Sequence, residues 1–319
     1  EIVSKEIKPL TKDGNPPIII GSAYGEAGKL YNTAMVLAGG ELKNIHRKTL
    51  LPNYDVFDEK RYFTKAGEHN VEIIGDLPLA ITICEDIWND QDFFSEPIHN
   101  LDPVAMLFKQ GAKVLLNLSA SPYNLGKHKL REELLPFLAR KYNCGVIYLN
   151  QVGGNDELVF DGSSLVYNCH GELIYRAAAY REELFYIESA ALFNKAEAAI
   201  PPDKDDIHAI YHTLCLGVKD YIYKTGFKKV VLGLSGGVDS AVVAALAVDA
   251  LGSENVFGIM MPSPYSSDHS VNDAVTLAKN LGIEYKIIRI DDPFYSYIEL
   301  LNEGKGALQD LAEENLQAR

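Results

Sequence analysis

Length, composition and charge exclude several classes of protein. The chain has 319 residues, enough for two domains with buried cores, and 44 acidic against 30 basic residues give it a formal net charge of −14. A surface this acidic argues against broad binding to nucleic acid or to anionic membranes. The longest apolar run, Ala241–Val248, is far shorter than the roughly 20 residues of a membrane span. Four scattered cysteines without a CxxC pair indicate reduced thiols in a cytoplasmic protein.

The first 188 residues have the pattern of short strands joined by turns. A strand is predicted at Ile18–Ile20, and a hairpin follows over Leu30–Ala38 and Glu41–Lys48 because Gly39 and Gly40 suit a tight turn. Further predicted elements are buried strands at Leu79–Cys84, Lys113–Leu118 and Gly145–Leu149, a helix at Gly126–Lys141, and a hairpin over Ser164–Ala177 that turns near His170. This mixture predicts a layered α/β domain over residues 1–188.

Residues 189–206 are predicted to be a linker, since small residues, Pro201-Pro202 and a charged run interrupt the pattern. A second domain is predicted over residues 207–319, opening with a helix near Asp206. Its other predicted elements are strands at Lys229–Leu234, Val256–Met261 and Glu284–Ile290, with helices at Ser240–Leu251 and Ser270–Leu281. The alternation predicts βαβ units around a parallel sheet. The last segment, Gly306–Arg319, ends inside a helical pattern.

A glycine-rich loop joins the first strand and helix of that second domain. The loop is Ser235-Gly236-Gly237-Val238-Asp239-Ser240. Two glycines allow close approach of an anion, and the N–H groups of the following helix favour negative charge, so the loop predicts a phosphate site. The alternative is an ordinary strand-to-helix turn in which Ser240 caps the helix.

This loop resembles the pyrophosphate loop of the adenine nucleotide α-hydrolase superfamily, and Met260–Ser267 resembles the adenosine-facing segment of NAD synthetases. The resemblance implies a Rossmann-like domain that binds ATP through Ser235, Gly236, Gly237, Val238, Asp239, Ser240 and Met261. It also implies Mg²⁺, which Asp239 is expected to hold, because a bare carboxylate would repel phosphate. The alternative is that Asp239 only reinforces the helix N-terminus.

Cys84 ends a predicted buried strand, where a lone cysteine is most often an inert core residue. Its context indicates otherwise. His46–Phe63 resembles the lysine motif of the carbon–nitrogen hydrolase (nitrilase) superfamily, and Ile83–Trp88 resembles its cysteine motif. Asn117–Tyr123 and Asp156–Gly162 resemble the glutaminase domain of the glutamine-dependent NAD synthetase family. The implied fold of the first domain is an incomplete nitrilase-like α/β/β/α sandwich, followed by an incomplete ATP-binding domain.

The resemblance implies a role for each residue of the first site. Cys84 is expected to attack the side-chain amide of glutamine, Lys48 to stabilise the oxyanion, and Glu59 to orient Lys48 or the amide. The residues expected to bind glutamine are Tyr54, Trp88, Ser119 and Ser121. The alternatives are a solvated lysine at position 48, an exposed loop carboxylate at position 59, and core aromatic residues at positions 54 and 88.

The implied function is ATP-dependent amidation of deamido-NAD to NAD, with ammonia released from glutamine. Glutamine, deamido-NAD and ATP are then the partners, without nucleic acid or membrane, and the full-length protein is expected to be a homo-oligomer. Two alternatives stay open: a nitrilase-type amidase regulated by its nucleotide-binding domain, and an inactive fragment that only binds ATP. The family's general-base glutamate lies in a motif of its own before the lysine motif, and no early glutamate of this chain lies in such a motif. The family's later synthetase segments are not found either, so we expect a chain truncated at both ends. The early glutamates are Glu1, Glu6, Glu26 and Glu41.

Overall fold

The computed structural model describes residues 2–96, 99–196, 200 and 206–301. The helical pattern at Gly306–Arg319 and much of the predicted linker lie outside these residues. The chain divides into two units. One comprises the described residues up to Gly153 and from Val159 to Asp206, and the other comprises Gly154–Leu158 and the described residues from Ile207 onward. The second unit thus includes a short piece that the sequence analysis assigned to the first domain.

The first unit contains an antiparallel sheet of three described strands. They are β1 (Ile18–Glu26), β2 (Lys29–Ala38) and β3 (Glu41–Arg47), in the order β1-β2-β3. The predicted hairpin of β2 and β3 is confirmed, and both turn glycines have positive φ, +61° at Gly39 and +78° at Gly40. Side chains on β2 such as Ala34 and Val36 are buried, so one face of this sheet belongs to the core.

A second sheet of the first unit has the order β11-β10-β7-β6-β5-β4 among the described strands. Its strands are β4 (Glu72–Ile74), β5 (Leu77–Ile83), β6 (Val114–Ser119), β7 (Gly145–Asn150), β10 (Leu165–Tyr167) and β11 (Leu173–Arg176). The central strands β5, β6 and β7 are parallel, and the outer pairings are antiparallel. The predicted strands and the hairpin at β10 and β11 are therefore confirmed.

Apolar layers on both faces of the second sheet make up the core of the first unit. Between the sheets, Val36 packs with Ile83 and Leu116. On the opposite face, Leu115 and Leu134 belong to a cluster to which α2 (Pro103–Lys109), α3 (Lys127–Tyr142) and the 3₁₀ turn Cys84–Ile87 contribute. The short helix α1 (Glu59–Tyr62) lies outside this cluster. Two sheets and one helical layer fit the predicted nitrilase-like sandwich.

Some elements of the first unit differ from the prediction. The hairpin β8 (Val152–Asn155) and β9 (Leu158–Asp161) was not predicted, since the glycines of β8 resemble a turn. The predicted linker starts too early, because Ser189–Leu192 forms a 3₁₀ turn whose Leu192 is buried between the sheets. One apolar side chain among small residues was not enough to show this from the sequence.

The second unit has a parallel sheet with the order β12-β13-β14 among its described strands. The elements are α4 (Asp206–Lys224), β12 (Val230–Gly233), α5 (Val238–Leu251), β13 (Val256–Met260), α6 (Asp268–Leu281), β14 (Glu284–Ile287) and α7 (Asp291–Leu301). The predicted βαβ alternation is confirmed, while the last strand ends earlier than predicted and α7 was missed. No helix in the described part of the chain is long and apolar enough to cross a membrane.

Candidate functional site

Cys84 lies at the point where β5 ends and the chain turns away from the sheet. It opens the 3₁₀ turn with φ of +43°, a left-handed conformation that non-glycine residues rarely adopt. Its side chain is partly buried. Burial raises the pKa of the Cys84 thiol, and the nearby charge of Lys48 partly opposes this effect. The thiol therefore keeps its proton at neutral pH and needs a base to become a nucleophile.

Lys48 follows β3 and is only 2% exposed. Its Nζ lies 2.7 Å from Glu59 Oε2, at the start of α1, and its backbone N–H donates to Asn32 O at 2.8 Å. Asn32 Nδ2 also donates to Glu59 Oε1 at 3.4 Å. The alternatives of a solvated lysine and an exposed loop carboxylate do not fit this geometry. A buried lysine paired with a carboxylate is instead held in one orientation.

One cavity of about 520 Å³ brings several of the predicted site residues together. Lys48, Glu59, Cys84 and Ser119 all line it, together with Asn150. A cation, a carboxylate and a thiol therefore face the same space, which is large enough for a small amide substrate. Glu59 supplies a carboxylate to the wall of the cavity, and its Oε2 already accepts a hydrogen bond from Lys48 Nζ.

Three other predicted site residues are not among those lining this cavity. The Tyr54 hydroxyl donates to Glu85 at 2.9 Å, and the ring is 42% exposed. Trp88 packs against the core on the helical side of the second sheet. Ser121 is buried, and its N–H donates to Asn150 Oδ1 at 2.9 Å. Tyr54, Trp88 and Ser121 therefore do not line this cavity, and their role in binding glutamine stays a prediction.

Two charged residues near the thiol were missed by the sequence analysis. Glu85 is buried directly after Cys84, and Lys127 is the partly buried first residue of α3. Their charges act in opposite directions on the pKa of Cys84: Glu85 raises it and Lys127 lowers it. Burial lowers the pKa of Lys127 itself. Lys127 lies just beyond the Asn117–Tyr123 motif, and a motif extended to the start of α3 would include it.

A buried polar network supports the cavity wall at Asn150. Its side-chain amide donates to Ser121 O, Asp161 Oδ1 and Gly162 O. Asp161 in turn accepts from Arg131, whose Nη1 lies 2.7 Å from Asp161 Oδ2, with both side chains at least 95% buried. These hydrogen bonds hold Asn150 in a single position. No local pattern in the sequence indicates this pairing across 30 residues.

In the glycine loop of the second unit, two serine side chains accept hydrogen bonds from backbone N–H groups of the same loop. Ser235 N–H donates to Ser240 Oγ at 3.3 Å, and Gly237 N–H donates to Ser235 Oγ at 3.2 Å. Helix α5 begins at Val238, so Ser240 lies inside its first turn and is not the N-cap as the alternative expected. The residue before the helix is Gly237, which has no side chain to cap the free N–H groups.

The two loop glycines differ. Gly236 has φ of +83°, and a Cβ placed there would lie 2.2 Å from Ser270 O, whereas Gly237 has φ of −87° and an open surrounding apart from Ser235 Oγ at 3.3 Å. We expected both glycines to be needed for an anion. In the structure, position 236 requires glycine even without an anion, because the backbone of α6 at Ser270 leaves no room for a Cβ.

A cavity of about 420 Å³ adjoins this loop. Of the predicted ATP-binding residues, Ser235 and Met261 line it, and Ser270 lies on its wall. The others are not among its lining residues: Gly236, Gly237, Val238, Asp239 and Ser240. No group of three or more His, Cys, Asp or Glu side chains within residues 2–96, 99–196, 200 and 206–301 is arranged to hold a metal ion.

The fold and the cysteine–lysine cavity agree with the comparisons to known proteins. The chain belongs to the carbon–nitrogen hydrolase family, whose model matches residues 3–191. The model of the NAD synthase family matches residues 210–319. The order of these two matches follows the order of the two units.

Across both units the chain is similar to glutamine-dependent NAD(+) synthetases. It is 46% identical to that of Synechocystis sp. over 91% of this chain and 53% of the relative, and 42% identical to that of Thermotoga maritima over 91% and 54%. The solved structure of glutamine-dependent NAD+ synthetase from Acinetobacter baumannii in complex with ADP superposes with a TM-score of 0.87 at 35% identity, covering 99% of this chain and 60% of that one. The chain therefore spans about half the length of the curated relatives it matches.

Proposed function

We propose that this chain contains the glutaminase domain and part of the ATP-binding domain of a glutamine-hydrolysing NAD synthetase. The observation that carries the proposal is the shared cavity of Cys84, Lys48 and Glu59 in a chain whose second unit adds a glycine loop at a helix N-terminus. The similarity to glutamine-dependent NAD(+) synthetases along both units supports it.

In the first unit, Cys84 Sγ attacks the carbonyl carbon of the glutamine side chain. The carbonyl oxygen becomes an oxyanion, which Lys48 stabilises because its ammonium group is buried and held by Glu59. A general base takes the thiol proton and passes it to the amide nitrogen, so collapse of this intermediate breaks the C–N bond and releases ammonia, leaving a thioester on Cys84. Water then hydrolyses the thioester to glutamate and frees the thiol.

The charges of Glu85 and Lys127 favour a free amino acid over a simple amide. Both lie close enough to Cys84 to act on its pKa, and they have opposite signs. A substrate with an ammonium and a carboxylate group, such as glutamine, can pair with both charges, whereas an uncharged amide can pair with neither. This argument supports a glutaminase over the alternative of a general amidase.

In the second unit, the loop Ser235–Ser240 binds the phosphates of ATP. The free N–H groups at the start of α5 have no side-chain cap, which favours an anion. ATP adenylates the carboxylate of deamido-NAD with loss of pyrophosphate, and ammonia displaces AMP to give NAD. Asp239, in the first turn of α5, would hold Mg²⁺, since a magnesium–nucleotide site needs only one or two protein carboxylates. The metal would supply positive charge against the phosphates.

An electrophilic glutamine analogue tests the first half of the proposal. We expect covalent labelling of Cys84, mapped by peptide mass spectrometry, and slower labelling by the matching analogue that lacks the α-amino and α-carboxylate groups. The free thiols Cys144, Cys169 and Cys215 serve as internal controls. Label on these thiols with Cys84 unmodified contradicts the proposal.

Coupling to ATP tests the second half. In the full-length protein we expect pyrophosphate release from ATP to depend on deamido-NAD, and Cys84→Ala to abolish synthesis from glutamine but not from free ammonium. Amide hydrolysis that is indifferent to ATP would support the amidase alternative instead. A cytoplasmic location and a homo-oligomeric full-length protein stay predictions, supported by the four free thiols and by the family similarity respectively.

A further inference from the structure

The carboxylate of Asp86 lies between the lysine segment and the cysteine turn and is almost fully buried. It accepts three backbone hydrogen bonds. Asp86 Oδ1 accepts from the N–H groups of Thr49 and Leu50, at 3.0 and 2.8 Å, and Oδ2 accepts from the N–H of Ile83 at 3.1 Å. No other side chain of the described residues accepts from these three N–H groups in the structure.

These three donors are the chain neighbours of the proposed reactive groups. Thr49 and Leu50 directly follow Lys48, and Ile83 directly precedes Cys84. Lys48 follows β3 and Cys84 follows β5, and these strands belong to different sheets. No ladder of strand hydrogen bonds therefore sets the distance between the two segments, and the carboxylate of Asp86 bridges them.

We propose that Asp86 is a positioning residue that holds the Lys48 ammonium at its working distance from the Cys84 thiol. The proposal rests on the proposed function, in which those two groups act together. A carboxylate suits this role because both of its oxygens accept hydrogen bonds, so three N–H groups can converge on it. An asparagine has one accepting oxygen, and its NH₂ group would face at least one N–H and repel it.

The cost of this arrangement supports a functional reason for it. Burial raises the pKa of Asp86 to about 6, against the effect of its three hydrogen bonds and of Lys48. Burying a carboxylate is unfavourable compared with an apolar packing of similar volume. The site nevertheless has an acidic residue at a position that contacts both reactive segments.

The test compares how fast iodoacetamide alkylates Cys84 at different pH values, with peptide mapping to separate Cys84 from the other thiols. The midpoint of this profile reports the pKa of Cys84, which Lys48 and Lys127 lower while Glu85 and Glu59 raise it. In Asp86→Asn, we expect Lys48 to move away and the midpoint to rise. A rise of about one unit lowers the alkylation rate near neutral pH about tenfold.

Asp102→Asn is the matched control. Asp102 is a partly buried carboxylate of the same unit whose pKa burial also raises, and it accepts one backbone N–H, from Ala105, at the start of α2. We expect this variant to leave the Cys84 profile unchanged even where it destabilises the fold. An equal shift in both variants would show a general loss of structure and overturn the positioning role.

Lys48→Met separates this inference from the proposed function. If Asp86 acts through Lys48, the double variant Asp86→Asn/Lys48→Met has the same Cys84 midpoint as Lys48→Met alone. No shift in Lys48→Met would contradict the proposed function itself. A shift in Lys48→Met with a wild-type profile in folded Asp86→Asn would overturn only the positioning role.

Asp86→Glu covers the case in which Asp86→Asn does not fold, as judged by circular dichroism. The glutamate keeps a carboxylate but adds one methylene to a buried site, which pushes the two segments apart. We expect its Cys84 midpoint to rise by less than in Lys48→Met and its alkylation to slow accordingly. A wild-type midpoint in this folded variant would equally count against the proposal.

Discussion

Gly236 provides a quantitative test of the second unit, through the substitution Gly236→Ala. An alanine there has to adopt φ of +83°, and its Cβ would lie 2.2 Å from Ser270 O and 2.8 Å from Ser270 C and Cα. The left-handed conformation costs about 1–2 kcal/mol. The overlap with backbone, which no side-chain rotation can relieve, adds about 1–3 kcal/mol. We expect a total loss of stability of about 2–5 kcal/mol.

Gly226→Ala is the control that isolates the overlap. Gly226 follows α4, has φ of +87°, and has no atom within 4 Å of an ideal Cβ. This variant should lose only the conformational part, about 1–2 kcal/mol. The difference between the two variants, about 1–3 kcal/mol, corresponds to about a 5- to 150-fold difference in an opening equilibrium.

Hydrogen–deuterium exchange of the amides in α5 and α6, read by mass spectrometry without ATP, measures this difference. The method suits a chain of two units, because a single unfolding midpoint would mix them. We expect faster exchange in Gly236→Ala than in Gly226→Ala. Equal exchange would refute the argument that Ser270 dictates glycine at this position. It would leave anion binding as the remaining reason for the glycine.

Three other substitutions test the two sites. Lys48→Met should lower the rate at which glutamine acylates Cys84 by about 10²–10³-fold, the usual effect of removing one oxyanion donor, measured by rapid-quench mass spectrometry; an unchanged rate would contradict the role. The pKa of Asp86 is raised from 3.8 to about 6 on folding, so its contribution to stability is full below pH 4 and is lost as pH rises through 6. Urea denaturation followed by Trp88 fluorescence should show a smaller decline from pH 4 to 7 in Asp86→Asn than in the wild type. Asp239→Asn should lose most of the Mg²⁺-dependent gain in ATP affinity in calorimetry; an equal gain in both proteins would make Asp239 a helix-terminal charge only.

Local patterns were sufficient to predict most of the framework. The glycine pair between β2 and β3 needs positive φ at both positions, which few other residues adopt, so the hairpin could be placed from the sequence. Two of the helices that were missed carry start signals. Asp102 followed by Pro103 precedes α2, and Asp291 with Asp292 and a proline opens α7. A search for helix N-terminal signals, in addition to apolar periodicity, would have found both helices.

The site could be predicted only in part, since a motif names residues but not the direction of their side chains. Lys48, Glu59 and Cys84 converge on one cavity as expected. Trp88 belongs to the cysteine motif, yet the 3₁₀ turn directs it to the helical side of the core. Asp86 lies in the same motif, but its hydrogen bonds to residues more than 30 positions earlier depend on the approach of two sheets. Such long-range contacts leave no local pattern in one sequence.

The left-handed backbone at Cys84 has a consequence for how this protein can evolve. A non-glycine residue at φ of +43° costs about 1–3 kcal/mol, a substantial part of the total stability of a domain. Glycine would relieve this strain, so Cys84→Gly is expected to stabilise the first unit while removing its only proposed nucleophile. Selection for stability alone therefore acts against the thiol. A copy of this chain that had lost its need for glutamine would drift toward glycine at position 84, and the residue found there would record whether hydrolysis is still under selection.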